Sequence, residues 1–242
     1  MKLELRPKFF SEVINIISQL VTEVNIKLSK EGLSITALDP ASVAMVIFEM
    51  PKSVFVNYTV ESDEILAVNL EDLKAVLKRM EKAEVIVLEK KDNMLIVSCK
   101  DGIKKHFTLA LINIEEEERA KPKLAFTSSV ELSSDLLADA VEDSLIIADS
   151  TSFITTRDSF KILTIGTLNR SEIEFSQDEV KISAVEDKAK YSLEYLEKFM
   201  KAAKLWPKVR LSFKTDHPLQ LDYFGDSEAK LSFILAPRVE EE

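Results

Sequence analysis

Apolar residues along the chain run through one order of spacings and then run through it again. Residues 2–5 alternate as a short strand, and Pro7 stands near the start of a helix reaching about Val21. Phe10, Val13, Ile14, Ile17 and Leu20 or Val21 fall at helical spacing and form its buried face. Residues 25–28 and 33–38 read as strands around a Lys30-Glu31-Gly32 turn, and residues 43–49 follow as a third strand after Asp39-Pro40. A strand at 65–68 leads to Asn69, which caps a helix over 70–80. Strands at 84–89, 95–99 and 104–111 close this half, with Asp92-Asn93 and Asp101-Gly102 as turns.

The second half repeats the order. A strand at 130–132 precedes a helix capped by Ser133 or Ser134 and reaching about Glu142, and strands follow at 152–156, 160–165, 172–175, 180–184 and 190–191. Ser192 caps a second helix, SLEYLEKFMKAAK, which matches NLEDLKAVLKRME from Asn69 so that Leu70 and Leu193, Leu73 and Leu196, and Val76 and Phe199 occupy like positions. A strand at 209–213 then leads into a final hairpin. Residues 95–118 align without a gap to residues 219–242, and both copies end in a run of glutamates. Self-similarity of this kind precedes any motif in weight. It divides the chain into a domain over 1–114, a connector over 115–128 and a second domain over 129–242.

Many antiparallel strands with two amphipathic helices per half give an α+β fold, with the helices of each half on one side of its sheet. The terminal strand of each half is expected to be an edge. An open edge is a hazard unless paired, and edge-to-edge joining with a closing rotation makes a ring.

Composition narrows the class. With 46% hydrophobic and 31% charged residues and only 4 Gly, a packed protein is indicated over a disordered one. Cys99 has no second cysteine with which to pair, which fits a reducing compartment. No apolar run suits a signal peptide or a membrane span, so a cytoplasmic protein without membrane partners is expected. The abundance of charge hints at a thermophile. A net charge of −10 argues against gripping nucleic acid over the whole surface but leaves room for a local basic face.

Catalytic chemistry is not indicated. There is no Gly-rich phosphate loop, metal-ligand spacing or nucleophile motif, and no cofactor is expected. His106 and His217, the two histidines, each sit in or beside a strand and are read as structural. The runs Glu115 to Glu118 and Glu240 to Glu242 are read as a solvated linker and tail rather than a cation site.

The duplicated domain, LDPASVAM at 38–45, NLEDLKAVLKR at 69–79 and LAPRVEEE at 235–242 resemble the proliferating cell nuclear antigen family, the sliding clamps of archaeal and eukaryotic DNA replication. The resemblance covers essentially the whole chain. It implies a non-catalytic ring of three chains, with sheets outside and helices around duplex DNA. It implies tethering of DNA polymerase, flap endonuclease and DNA ligase, and opening by a clamp loader. It also implies a pocket for a peptide carrying a Gln, an aliphatic residue and two aromatics. Position by position, that pocket is Leu38, Val43, Met45, Leu124, Phe126, Pro218, Ile234, Ala236 and Pro237. Subunit contact is implied between the strand holding Thr108, Leu109, Ala110, Leu111 and Ile112 and, on the next chain, that holding Ile173, Glu174 and Phe175.

Lysines recur on the second helix of both halves: Lys74, Lys78 and Lys82 in the first, Lys198, Lys201 and Lys204 in the second. That recurrence, together with family positions matched by Lys78 and Lys201, makes these the expected DNA-facing residues. The other two helices depart from the family pattern. The first carries Ser11, Glu12 and Ser18 where relatives are often basic, and the third is acidic through Asp135, Asp139, Glu142 and Asp143. Two alternatives are therefore kept: an acidic checkpoint-type clamp or scaffold, and one subunit of a heterotrimer. Arg119, Lys121 and Lys123 on the connector imply partner peptides with acidic flanks.

Overall fold

Backbone pairing builds two compact units, one from Met1–Pro40, Val46–Ala120 and Ser227–Lys230, the other from Ala41–Met45, Lys121–Asp226 and Leu231–Glu242. The computed structural model describes residues 1–99, 103–114 and 122–239. The Asp101-Gly102 turn, both glutamate runs, Arg119 and Lys121 lie outside the described residues.

The first unit runs β1 (Lys2–Leu5), α1 (Pro7–Ile17), β2 (Glu23–Leu28), β3 (Gly32–Leu38), β4 (Ala44–Pro51, from Val46 onward in this unit), β5 (Asn57–Thr59), β6 (Glu64–Asn69), α2 (Leu70–Met80), β7 (Ile86–Lys91), β8 (Met94–Cys99) and β9 (Lys105–Ala110). One antiparallel sheet is ordered β5-β1-β7-β8-β9, and β6, β2 and β3 lie side by side in another. Proline at the start of α1 costs no hydrogen bond, because its missing N–H would be unpaired there in any case. Asn69 caps α2, its Oδ1 accepting from the N–H groups of Glu71 at 2.9 Å and Asp72 at 3.3 Å.

The second unit runs β10 (Ser128–Ser133), α3 (Ser134–Leu145), β11 (Ser150–Thr155), β12 (Ser159–Ile165), β13 (Arg170–Ser176), β14 (Lys181–Ser183), β15 (Asp187–Ser192), α4 (Leu193–Met200), β16 (Lys208–Phe213), β17 (Leu219–Phe224) and β18 (Lys230–Leu235, Lys230 itself in the first unit). Its sheets are ordered β13-β12-β11-β15 and β14-β10-β16-β17-β18. Ser133 and Ser192 occupy the N-cap positions of α3 and α4, yet neither side chain makes a capping bond. Loop carbonyls satisfy the first helical N–H instead. Ser134 N donates to Pro207 O and Leu193 N to Asp149 O, each at 2.9 Å, as Leu70 N does to Thr22 O at 2.8 Å.

Three expectations need correction. The helix read as reaching Val21 ends at Ile17 and loosens into turns. Lys82 lies beyond the end of α2, and Lys201–Lys204 form a tighter 3-10 turn rather than continuing α4. Not every terminal strand is an open edge: β9 is, but its repeat counterpart β18 has β17 on one side and, on the other, the segment leading into β4, with Ala236 N donating to Val43 O at 2.8 Å.

The remaining sheet ends differ in how they are protected. Strands β5 and β14 have three residues each. Ile112 N bonds Ala67 O beside β6, and Arg238 N bonds Lys190 O beside β15. Strands β9 and β13, of six and seven residues, have no strand along their outer sides among the described residues, although Ser176 O at the end of β13 accepts from Glu179 N and Val180 N at 3.1 Å. Long bare edges of this kind are pairing sites.

Each core forms beneath its own helix pair. Phe10, Val13, Ile14 and Ile17 of α1 join Leu70, Leu73, Leu77 and Met80 of α2, all buried. In the second unit Phe199 stacks on Phe233 with centroids 4.3 Å apart, and Phe153 meets Phe160, Tyr191 and Phe213 edge-on. Leu196 of α4 is fully buried, and the single tryptophan, Trp206, is fully buried in the same unit. Leu196→Ala is expected to cost about 2–5 kcal/mol, read as a lower urea midpoint by Trp206 fluorescence. Glu197→Ala, at an exposed site, should shift stability by no more than about 0.5 kcal/mol.

Candidate partner pocket and nucleic-acid face

The sequence-derived pocket residues, Leu38 apart, fall in the second unit. Leu38 is half-buried at the end of β3 in the first. Val43 comes beside Ala236 through the hydrogen bond already described. Met45 and Ile234 are buried, while Val43, Leu124, Phe126, Pro218, Ala236 and Pro237 are half-buried and retain apolar surface. The ring of Phe126 lies edge-on to that of His217, centroids 6.3 Å apart. His217 is thus a wall residue that sequence reasoning read only as structural; its one signal was its place next to Pro218.

Asp187 fastens this region. Its carboxylate is buried and accepts from Thr127 Oγ1 at 2.7 Å, Ser128 Oγ at 2.6 Å, and both the N–H and Oγ1 of Thr215 at 2.9 Å. The end of the connector, the start of β15 and the turn before His217 therefore meet on one charge. Burial on its own pushes the Asp187 carboxyl up, but the hydrogen bonds from Ser128, Thr127 and Thr215 outweigh it and hold its pKa below the ordinary aspartate value. Tyr191 OH adds a bond to His217 O at 2.8 Å, and burial pushes that phenol up.

The six candidate DNA-facing lysines are not equivalent. Lys74 pairs with Glu71 at 2.6 Å and donates to Ser18 Oγ at 3.3 Å; Lys198 pairs with Glu194 at 2.9 Å and lies 5.0 Å from the Tyr195 ring centre. Lys78, Lys82, Lys201 and Lys204 are exposed. A groove of about 510 Å³ between α1 and α2 is lined by Glu12, Glu71 and Glu81 as well as by Lys74 and Lys78. Ser11, which also lines the groove, is buried and donates to Glu81 at 3.0 Å. On α3, Asp135, Asp139, Glu142 and Asp143 are all exposed.

The candidate subunit strands are the two bare edges. Thr108, Leu109 and Ala110 belong to β9, with Leu111 and Ile112 just after it, and Ile173, Glu174 and Phe175 belong to β13. On β13 the outward Glu172 and Glu174 are held by Lys161 at 3.4 Å and 3.1 Å, and Arg170 also contacts Glu172. The bond from Arg170, with that from Lys161, keeps the Glu172 carboxyl below its usual range.

The N-terminal domain of proliferating cell nuclear antigen matches residues 3–119 and the C-terminal domain residues 120–238. The chain belongs to the proliferating cell nuclear antigen family. A relative in Thermococcus gammatolerans, named DNA polymerase sliding clamp, is 35% identical over 239 residues, covering 97% of this chain and 96% of the relative. Among solved structures, A. fulgidus PCNA with the C-terminal region of FEN-1 bound is 25% identical with a TM-score of 0.92, covering 100% of this chain and 99% of that one. A PCNA2-PCNA3 complex from Sulfolobus tokodaii is 25% identical with a TM-score of 0.89, covering 99% and 100%. Membership of the family accounts for the duplicated fold. No helix among the described residues is long and apolar enough to cross a membrane, and they hold no cluster of ligating side chains suited to a metal ion.

Because the Asp187 pKa is depressed on folding, its contribution is present above the ordinary aspartate range and is lost as pH falls through its own lower pKa. Asp187→Asn is expected to lower stability by about 2 kcal/mol near pH 7. Urea titrations at falling pH should show that deficit narrowing across the carboxylate range; a deficit independent of pH would rule out the charge as its source.

Proposed function

We propose that this chain is a DNA polymerase sliding clamp that encircles duplex DNA without sequence preference as a ring of three. On this reading it divides into domains over 1–114 and 129–242, joined by a connector over 115–128. It catalyses no reaction, works in the cytoplasm and needs no cofactor. The observation that carries the proposal is the pair of bare edges. Among the described residues strand β18 has neighbours on both sides, whereas its counterpart β9 lacks one, and β13 lacks one too. Pairing β9 of one chain with β13 of the next removes both edges, and a closing rotation makes the ring.

Lys78, Lys82, Lys201 and Lys204, all exposed, would supply the phosphate contacts, with the half-buried Lys74 and Lys198, held by Glu71 and Glu194, contributing less. Few cations over an acidic chain suit sliding, which needs weak, screened, sequence-independent attraction. The apolar pocket around Phe126 would take the anchor peptide of DNA polymerase, flap endonuclease or DNA ligase, and a clamp loader would open the ring. Support for such a partner comes from the FEN-1 segment bound to the A. fulgidus relative. A second reading, one subunit of a heterotrimer, is favoured by the exposed acidic face of α3 and by the paralogue complex of S. tokodaii.

The mass of the purified chain in solution should be three times 27.4 kDa; a chain that stays monomeric at micromolar concentration, alone and mixed with any paralogues, would sink the proposal. Lys78→Glu with Lys201→Glu should leave that mass unchanged. The pair should cut polymerase stimulation on primed circular DNA by roughly three- to tenfold near physiological salt, and unchanged stimulation would remove these helices from the DNA face.

A further inference from the structure

The partner pocket does not end at Pro218 and Pro237. Both of the segments that carry those residues run on into a second concavity of about 380 Å³, through Thr215 and Asp216 on one side and Arg238 and Val239 on the other. Lys188 and Lys190 of β15 line it between them. All of these residues belong to the second unit. The groove and the apolar pocket are thus held by the same two stretches of chain, and Asp187 at the start of β15 ties Thr215 to Thr127 beside Phe126.

Charge distinguishes this groove from the rest of the molecule. The chain carries a net −10, yet Lys188, Lys190 and Arg238 line the groove against the single carboxylate of Asp216. Further charges stand next to it among the described residues. Lys214 is exposed beside Thr215, and Asp149 pairs with Arg238 at 2.8 Å. Asp187, held ionised by its hydrogen bonds and in contact with Thr215, adds a further negative charge beneath the groove, so the positive excess there rests on Lys188, Lys190, Arg238 and Lys214 together. Side-chain ammonium groups in an open groove favour an extended acidic segment, whose carboxylates they can meet without losing their water. The exposed Lys123, on the connector three residues before Phe126, extends the same sign of charge.

We infer that this groove receives acidic residues flanking the apolar anchor of a partner peptide, so that Lys188 and Lys190 select among partners that share one anchor. The inference rests on the reading of the pocket as a peptide site. It shifts the selecting charge from the connector to β15, whose backbone is fixed in the sheet by its pairing with β11. Specificity of this kind is a difference of affinities: lysines on the rim reward acidic flanks and penalise basic ones.

Fluorescence anisotropy with the full chain and three labelled peptides tests it. The peptides share one Gln, aliphatic and double-aromatic anchor and differ only in flanks of Ser, Glu or Lys. The Glu-flanked peptide should bind about five- to tenfold more tightly than the Lys-flanked one at low salt, and the margin should shrink as salt is raised. Lys188→Glu with Lys190→Glu should abolish or invert that margin while leaving the Ser-flanked affinity unchanged. Equal binding of Glu and Lys flanks at low salt, with the Ser-flanked peptide still bound, overturns the inference alone. A margin that survives the double substitution does the same. Failure of all three peptides to bind overturns the pocket reading and the inference together. A labelled single-stranded oligonucleotide that binds the native chain and is lost with Lys188→Glu and Lys190→Glu would make the groove a phosphate site and overturn the peptide assignment.

Discussion

A strand at the end of a sheet presents N–H and C=O groups that water, another strand or a covering segment must satisfy. Four sheet ends in this chain are managed internally. Strands β5 and β14 are cut to three residues, Ile112 reaches across to β6, and Arg238 and Thr215 bond to β15. Strands β9 and β13, of six and seven residues, have no outer strand among the described residues. The proposed assembly follows from that selective protection, since a monomer with no further partner would gain by blunting these two edges as it blunts the others.

The proposed binding surfaces depend on a different balance. The backbone around the half-buried apolar side chains of the partner pocket is pinned by Asp187, whose four hydrogen bonds come from two segments, Thr127-Ser128 and Thr215, and tie both to β15. A buried carboxylate is costly unless its hydrogen bonds are made, and here they hold it ionised. The helices carry the opposite arrangement. Their lysines are exposed or paired with neighbouring glutamates, so they present a weak and mixed field rather than a deep basic channel. Tight pinning serves the site proposed to recognise one peptide, and weak charge serves the face proposed to slide.

Much of the fold was legible from spacing. The helix over Leu70–Met80, its Asn69 cap and its buried leucines follow from local rules that act within a few residues, and the repeat extends them to α4. The misses came from contacts between distant residues. Ser133 and Ser192 stand at the cap positions but make no capping bond, and the bonds that start those helices come from distant carbonyls, Pro207 O and Asp149 O. Lys82 continues a lysine stripe in sequence and leaves it in space, because α2 stops at Met80. His217 gave no sign of its contact with Phe126, a residue some ninety positions earlier in the chain.

The sequence by itself determined the duplication, the alternation that makes strands and the face each helix buries, because these depend on residues two to four positions apart. It could not say which copy of the terminal hairpin would find a neighbour. β9 reads KHFTLA and β18 reads KLSFIL, similar strands whose fates differ. Only the tertiary structure decided that the segment through Val43 lies along β18 on the side away from β17, while no described strand lies along β9 on the side away from β8, since hydrogen bonding across a sheet edge is between backbones and leaves little mark on side chains. The same limit hid the basic groove. Lys188, Lys190 and Arg238 are scattered lysines and an arginine in an acidic chain until the path of β15 and the last described residues brings them together.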